Sequence, residues 1–168
     1  MAYVALYNHS YYSLLDSAMA VEDIVAAAVE YGMPAVGLVD RDTVAGAVQF
    51  YKQAKAAGIH PVIGSQVTVE GGGSPVLLVE NAEGYRNLCR LLTTRIEHPG
   101  GVTLDDLNRF RAGLICLCGT ARPEYRETFG RNFALAIAPG DRALAAQGRR
   151  WRIPLVAAAR AHYRAPQD

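Results

Sequence analysis

The residues able to do chemistry in this sequence sit in short polar clusters that follow apolar runs. The first cluster is Tyr7-Asn8-His9-Ser10, after Tyr3-Val4-Ala5-Leu6, with Asp16 close behind. Others are Asp40-Arg41-Asp42, Gln66, Thr120 and Arg160-Ala161-His162, each at or near the end of an apolar run. Imidazoles and carboxylates that converge from several strand ends are the donors of a divalent-metal site and of metal-assisted hydrolysis. The candidate ligands here are His9, Asp16 and His162, with Asp40 as a fourth. Arg41 and Arg160 fall in the same clusters. A guanidinium keeps its proton and cannot ligate a metal. Two of them at one mouth would repel a dication and favour an anion or a carboxylate instead. The expectation is an ion pair from Arg41 or Arg160 to Asp16 or Asp40, with phosphate binding by the two arginines as the alternative.

Stepping from these clusters to what must carry them, the chain alternates buried strands and amphipathic helices. Strands are expected at 3–7, 34–39, 60–69, 76–79, 113–118, 132–138 and 154–159. Helices are expected at 21–31, 45–57, 81–95, 104–110 and 141–151, with Thr103 as an N-cap and Gly32 and Gly58 as stops. Runs such as Pro34-Ala35-Val36-Gly37-Leu38-Val39 are apolar throughout, as strands buried on both faces are. Gly71-Gly72-Gly73-Ser74-Pro75 reads as the turn of a hairpin. The pattern is α/β and mostly parallel, and functional groups then collect at the C-terminal strand ends. Seven strands with short connections favour a closed or nearly closed barrel over an open sheet. Between Thr120 and Asn132 the crossover is minimal, with room for one turn at 123–128. A thinly covered wall there would expose apolar surface beside Phe129 for a partner or a second copy, which leaves a homo-oligomer open.

The bulk numbers narrow the functional classes. With 168 residues, 51% hydrophobic and 20% charged, the chain is expected to be one domain with a real core. A net charge of +1 gives no global pull toward nucleic acid, so direct binding to it should be weak or absent. No run is long enough to span a membrane, and the N-terminus lacks a signal-peptide pattern. Three cysteines without a Cys-x-x-Cys pair suit a reducing cytoplasm. Cys116 and Cys118 share one strand face and read as small buried hydrophobes. His60 and His98 read as solvated, and Tyr11 and Tyr12 as rim packing. Arg149-Arg150-Trp151-Arg152 reads as a basic helix end that complements the helix dipole.

Several runs carry a family likeness: His9-Ser10-Tyr11-Tyr12-Ser13-Leu14-Leu15-Asp16, Tyr31-Gly32-Met33-Pro34-Ala35, Gly46-Ala47-Val48-Gln49-Phe50-Tyr51-Lys52, Ala57-Gly58-Ile59-His60-Pro61-Val62-Ile63-Gly64, Asn81 to Leu91, and Ile153-Pro154-Leu155-Val156-Ala157. Together they resemble the PHP (polymerase and histidinol phosphatase) domain, in the version at the N-terminus of the bacterial DNA polymerase III alpha subunit. The resemblance implies a distorted seven-stranded (βα)7 PHP-type, TIM-like barrel. It also implies a phosphoesterase site of up to three metal ions in active members. Against the family pattern, ligand positions are filled here by Tyr7, Arg41, Gln66, Thr120 and Arg160, while His9, Asp16 and His162 remain. A further family histidine lines up near Ile96, which His98 reaches only with a register shift.

On this basis the chain is expected to be a catalytically degenerate PHP domain, with no cofactor. It would act as a structural or protein-interaction module in DNA replication or repair, with polymerase or exonuclease subunits as partners. No sign of polymerase palm, fingers or thumb is present, which leaves an excised domain or a stand-alone relative. The alternative is a residual metal-dependent phosphoesterase or exonuclease. It would use one zinc or manganese ion on His9, Asp16 and His162, with Arg41 or Arg160 as phosphate clamps.

Overall fold

The computed structural model describes residues 3–159. The chain runs α1 (Val21–Glu30), β1 (Ala35–Leu38), α2 (Ala47–Ala56), β2 (His60–Gln66), β3 (Val76–Val79), α3 (Ala82–Glu97), α4 (Leu104–Phe110), β4 (Leu114–Cys118), α5 (Pro123–Phe129), β5 (Phe133–Ile137), α6 (Arg142–Trp151) and β6 (Leu155–Ala157). Among the described residues the sheet has six strands, ordered as in the chain, and it curls into half a barrel. The pairs β1–β2, β4–β5 and β5–β6 are parallel. The expected hairpin reverses β3, which is antiparallel to both β2 and β4.

The strand expected at 3–7 is replaced by isolated bridges at Ala5, which pairs with Val36, and at Asn8. The segment does lie beside β1: Gly37 N–H donates to Ala5 O at 2.8 Å and Val39 N–H donates to Asn8 O at 3.0 Å. Between these two bonds, the Asn8 side-chain amide donates to Gly37 O at 2.9 Å. A side chain has taken a ladder acceptor, so regular pairing stops. The approach is close enough that a Cβ on Gly37 would clash with the Leu6 carbonyl oxygen, so this position needs glycine.

Alternation along each strand divides the core into two sides of the sheet. Val39, Val76, Leu78, Leu117, Ala134 and Ala136 cluster with Leu6 and Tyr7 on one side. On the other side Val36 and Leu38 pack with α1 and α2, and Leu77, Leu114, Cys116 and Leu135 pack with α3, α4 and α5. Cys116 and Cys118 share that second side as expected, and burial pushes the Cys116 thiol up. Thr103 caps α4 through a full capping box with Asp106.

The short crossover differs from expectation. It holds a seven-residue helix, α5, followed by a 3-10 turn. Tyr125 and Phe129, one helical turn apart, both point inward and are 1% and 6% exposed. The apolar patch expected beside Phe129 is therefore core.

A charged candidate site at the end of β1

The site is built where β1 ends and the chain turns through Asp40, Arg41 and Asp42. Each of these three side chains takes a different role. Asp40 is 1% exposed. Its carboxylate accepts from Ser10 N–H at 2.6 Å, Ser10 Oγ–H at 2.8 Å and Ser13 Oγ–H at 2.7 Å. A buried carboxylate is tolerable when its lone pairs are filled in this way. The clamp fixes the loop between His9 and Asp16, and Arg41 N–H donates to Ser13 Oγ at 3.0 Å to continue it.

Arg41 reaches across to that loop. Its Nη2 and Nε lie 2.9 Å and 3.3 Å from Asp16 Oδ2. The same oxygen lies 2.8 Å from His9 Nδ1. An ionised carboxylate only accepts, so His9 donates from Nδ1. Burial of Asp16 works to raise its pKa. The hydrogen bond and charge of Arg41, followed by those of His9, outweigh that and hold the carboxyl below its ordinary value. Thus Asp16 serves as the orienting partner of His9 and as the counter-ion of Arg41. His9 is fully buried, with the Tyr7 ring 5.4 Å away between centroids.

Asp42 has φ 51, a left-handed conformation that aspartate tolerates better than most residues. The turn directs its carboxylate toward Thr68, whose N–H and Oγ–H both donate at 2.7 Å. Arg95, near the end of α3, donates from Nε at 3.1 Å. Sequence reasoning missed this second ion pair, because its members lie 53 residues apart. It also missed the serine clamp, although Ser10 and Ser13 stood inside the family-like run. Helix α3 brings Arg95 to the site, where Ile96 is exposed and His98 caps the helix close to Asp106.

The remaining candidates are spread out. Gln66 is 3% exposed and donates from Nε2 to Ser74 O at 3.3 Å. Its backbone is tied to the site, because its N–H donates to Asp40 O and its carbonyl accepts from Asp42 N–H. Thr120 is exposed, with its hydroxyl 3.3 Å from Cys118 Sγ. Arg160 and His162 lie outside the described residues. Of the expected ion pairs, Arg41–Asp16 is present. His60 is exposed, and Tyr11 and Tyr12 stack on each other at 4.7 Å beside Gln49. Among the described residues no three His, Cys, Asp or Glu side chains converge as a metal-binding group, and no helix is long and apolar enough to cross a membrane.

A family model described as the PHP domain matches residues 5–145. The chain is 35% identical over 137 residues to DNA polymerase III subunit alpha of Chlamydia pneumoniae, covering 71% of this chain and 11% of that protein. It is 38% identical over 124 residues to the same subunit of Bacillus subtilis, covering 70% of this chain and 11% of that one. An error-prone DNA polymerase of Symbiobacterium thermophilum is 45% identical over 93 residues, 55% of this chain and 9% of that one. The chain thus spans about a tenth of the length of the relatives it matches. In fold it is similar to a candidate metal-dependent phosphoesterase from Bifidobacterium adolescentis. The TM-score is 0.67 at 10% identity, covering 97% of this chain and 89% of that one. It is also similar to an amidohydrolase from Chromobacterium violaceum with bound sulfate and no metal. Here the TM-score is 0.65 at 13% identity, covering 96% and 88%.

Proposed function

The chain belongs to the PHP domain family, and we propose that it is a catalytically silent member, a structural or protein-interaction module of a DNA replication or repair polymerase. The observation that carries this reading is the Arg41 guanidinium held 2.9 Å from the Asp16 carboxylate at the end of β1. A fixed organic cation stands there beside the carboxylate that a metal would need. The other donors support the reading. The Asp40 lone pairs are taken by Ser10 and Ser13, and Gln66 is a neutral amide. The arginine at 41 and the amide at 66, neither of them a metal ligand of the carboxylate or imidazole type, weigh against a di- or trinuclear centre. The partners we infer are polymerase or exonuclease subunits, in keeping with the polymerase relatives.

Elemental analysis of the purified chain after exposure to zinc and manganese tests the reading, together with hydrolysis of a nitrophenyl phosphodiester. The expected outcome is substoichiometric metal and hydrolysis at background. Stoichiometric metal with hydrolysis lost in His9→Ala would replace it with a residual phosphoesterase.

A further inference from the structure

Away from the β1 end, two neighbouring clefts of about 420 Å³ and 340 Å³ lie between α5, the turn after it and the end of α6. They share Arg126 and Ile153, so they form one groove. Its floor is apolar: Ile153 is buried and Trp151, the chain's single tryptophan, is half-buried. Its rim is cationic. Arg126, Arg131 and Arg152 line it, all are exposed, and among the described residues none makes an ion pair. Arg122 forms a fixed wall, donating to Gly72 O and Glu124 Oε1 with its guanidinium over the Tyr125 ring.

Two features make this arrangement costly for an isolated surface. Like charges gathered on one rim repel one another. Arg152 also sits at φ 53, a left-handed C-cap position where glycine is preferred. The turn carries Arg152 onto the rim beside Trp151 and Ile153, so local strain and repulsion are both spent on presenting a guanidinium. The complement of an apolar floor with a cationic rim is an apolar side chain flanked by anions. Nucleic acid fits less well. Sequence-tolerant single-strand binding uses a basic track with successive exposed stacking rings, whereas of this groove's two aromatic residues Phe133 is buried and only Trp151 is partly exposed, and a carboxylate, Glu127, stands on its wall.

We propose that the groove between α5 and the end of α6 docks an extended peptide segment that carries a bulky apolar residue flanked by aspartates or glutamates. Acidic side chains pair with Arg126, Arg131 and Arg152, and the apolar side chain enters over Ile153 against Trp151. The proposal does not depend on whether the β1-end site retains a metal, so the two fail separately.

The single tryptophan makes the test direct. The whole chain is titrated with a synthetic peptide holding a Leu-Phe pair between Asp and Glu residues, free of tryptophan, while Trp151 emission is followed. The expected result is a saturable emission change that weakens about tenfold or more in the double variant Arg126→Glu, Arg152→Glu. Rising salt should weaken it in the unaltered chain, which keeps the test valid should the variant fold poorly. The change should vanish when the peptide's acids are replaced by lysines. The proposal is overturned by a response equal to that of an all-serine peptide, or by one insensitive to both charge reversal and salt. Tighter binding of a thymidine oligonucleotide at the same tryptophan would overturn it in favour of nucleic acid. Sedimentation showing a dimer that the double variant dissociates would overturn it in favour of self-association.

Discussion

The end of β1 and the α5–α6 groove both gather arginines, and they treat them oppositely. At the β1 end Arg41 is held by Asp16 and Arg95 by Asp42, while Asp40 is satisfied by hydroxyls and a backbone N–H. At the groove Arg126, Arg131 and Arg152 face solvent without a carboxylate partner among the described residues. A charge already neutralised by its own chain must break that pair before it can serve a ligand. A charge without a partner can take one at once. Among the described residues the β1 end is internally compensated, and the surface behind the short crossover is not.

The largest expected effect falls on the β1 side. Replacing Asp40 with alanine leaves buried donors of Ser10 and Ser13 without an acceptor and should cost about 3–5 kcal/mol in chemical denaturation. A loss under about 1 kcal/mol would mean that the clamp is not holding the loop. Arg41→Met is a milder cut. The Arg41 side chain is 41% exposed and its charge therefore screened, so the loss should be under about 1 kcal/mol near neutral pH. Its sharper signature is in pH. The Asp16 carboxyl is held low, so its pairing stabilises the fold above the ordinary carboxylate pKa of about 3.9. That contribution disappears as pH falls through the lowered folded value. The stability gap between the unaltered chain and Arg41→Met should therefore close on acidification, and NMR titration should place the Asp16 carboxyl higher in the variant. A gap independent of pH would assign the Arg41 effect to packing.

The groove side predicts the reverse relation between stability and binding. Arg152→Gly relieves the left-handed backbone and should raise stability by about 0.5 kcal/mol, after the extra freedom of glycine in the unfolded chain is deducted. The same change should weaken the acidic peptide. A stability loss would show that Arg152 makes folded-state contacts instead of serving a partner. Arg126→Glu is the smallest of the set. Its side chain is exposed and unpaired, so denaturation should move by within about 0.5 kcal/mol either way.

Much of the architecture was legible along the chain. The helices at 21–31, 81–95 and 104–110 form within about two residues of their expected ends, because capping and apolar periodicity are local signals. The buried runs 76–79 and 113–118 become β3 and β4 for the same reason. The misses have physical causes. The segment at 3–7 has strand-forming residues, yet the Asn8 amide competes for Gly37 O, and isolated bridges stand in place of a strand. The crossover before β5 was read as thin, but an i,i+4 aromatic pair turned inward and closed it. In the site, the family-like run marked His9 and Asp16, and Arg41 stood out as a cation where a ligand was expected. Asp42 stood in a polar cluster without an assigned partner and Arg95 gave no signal, since nothing local distinguishes a residue that will be paired from one that will be solvated.

By itself, the sequence determined most of the elements and the PHP family, because these depend on residue type and near-neighbour spacing. Only the tertiary structure decided that Arg41 closes on Asp16, that Arg95 crosses to Asp42, and that Arg152 joins Arg126 and Arg131 on one rim. Those pairings depend on how the sheet curls and where each helix end comes to rest. Coulomb energy falls with distance in space, and distance along the chain does not reveal it.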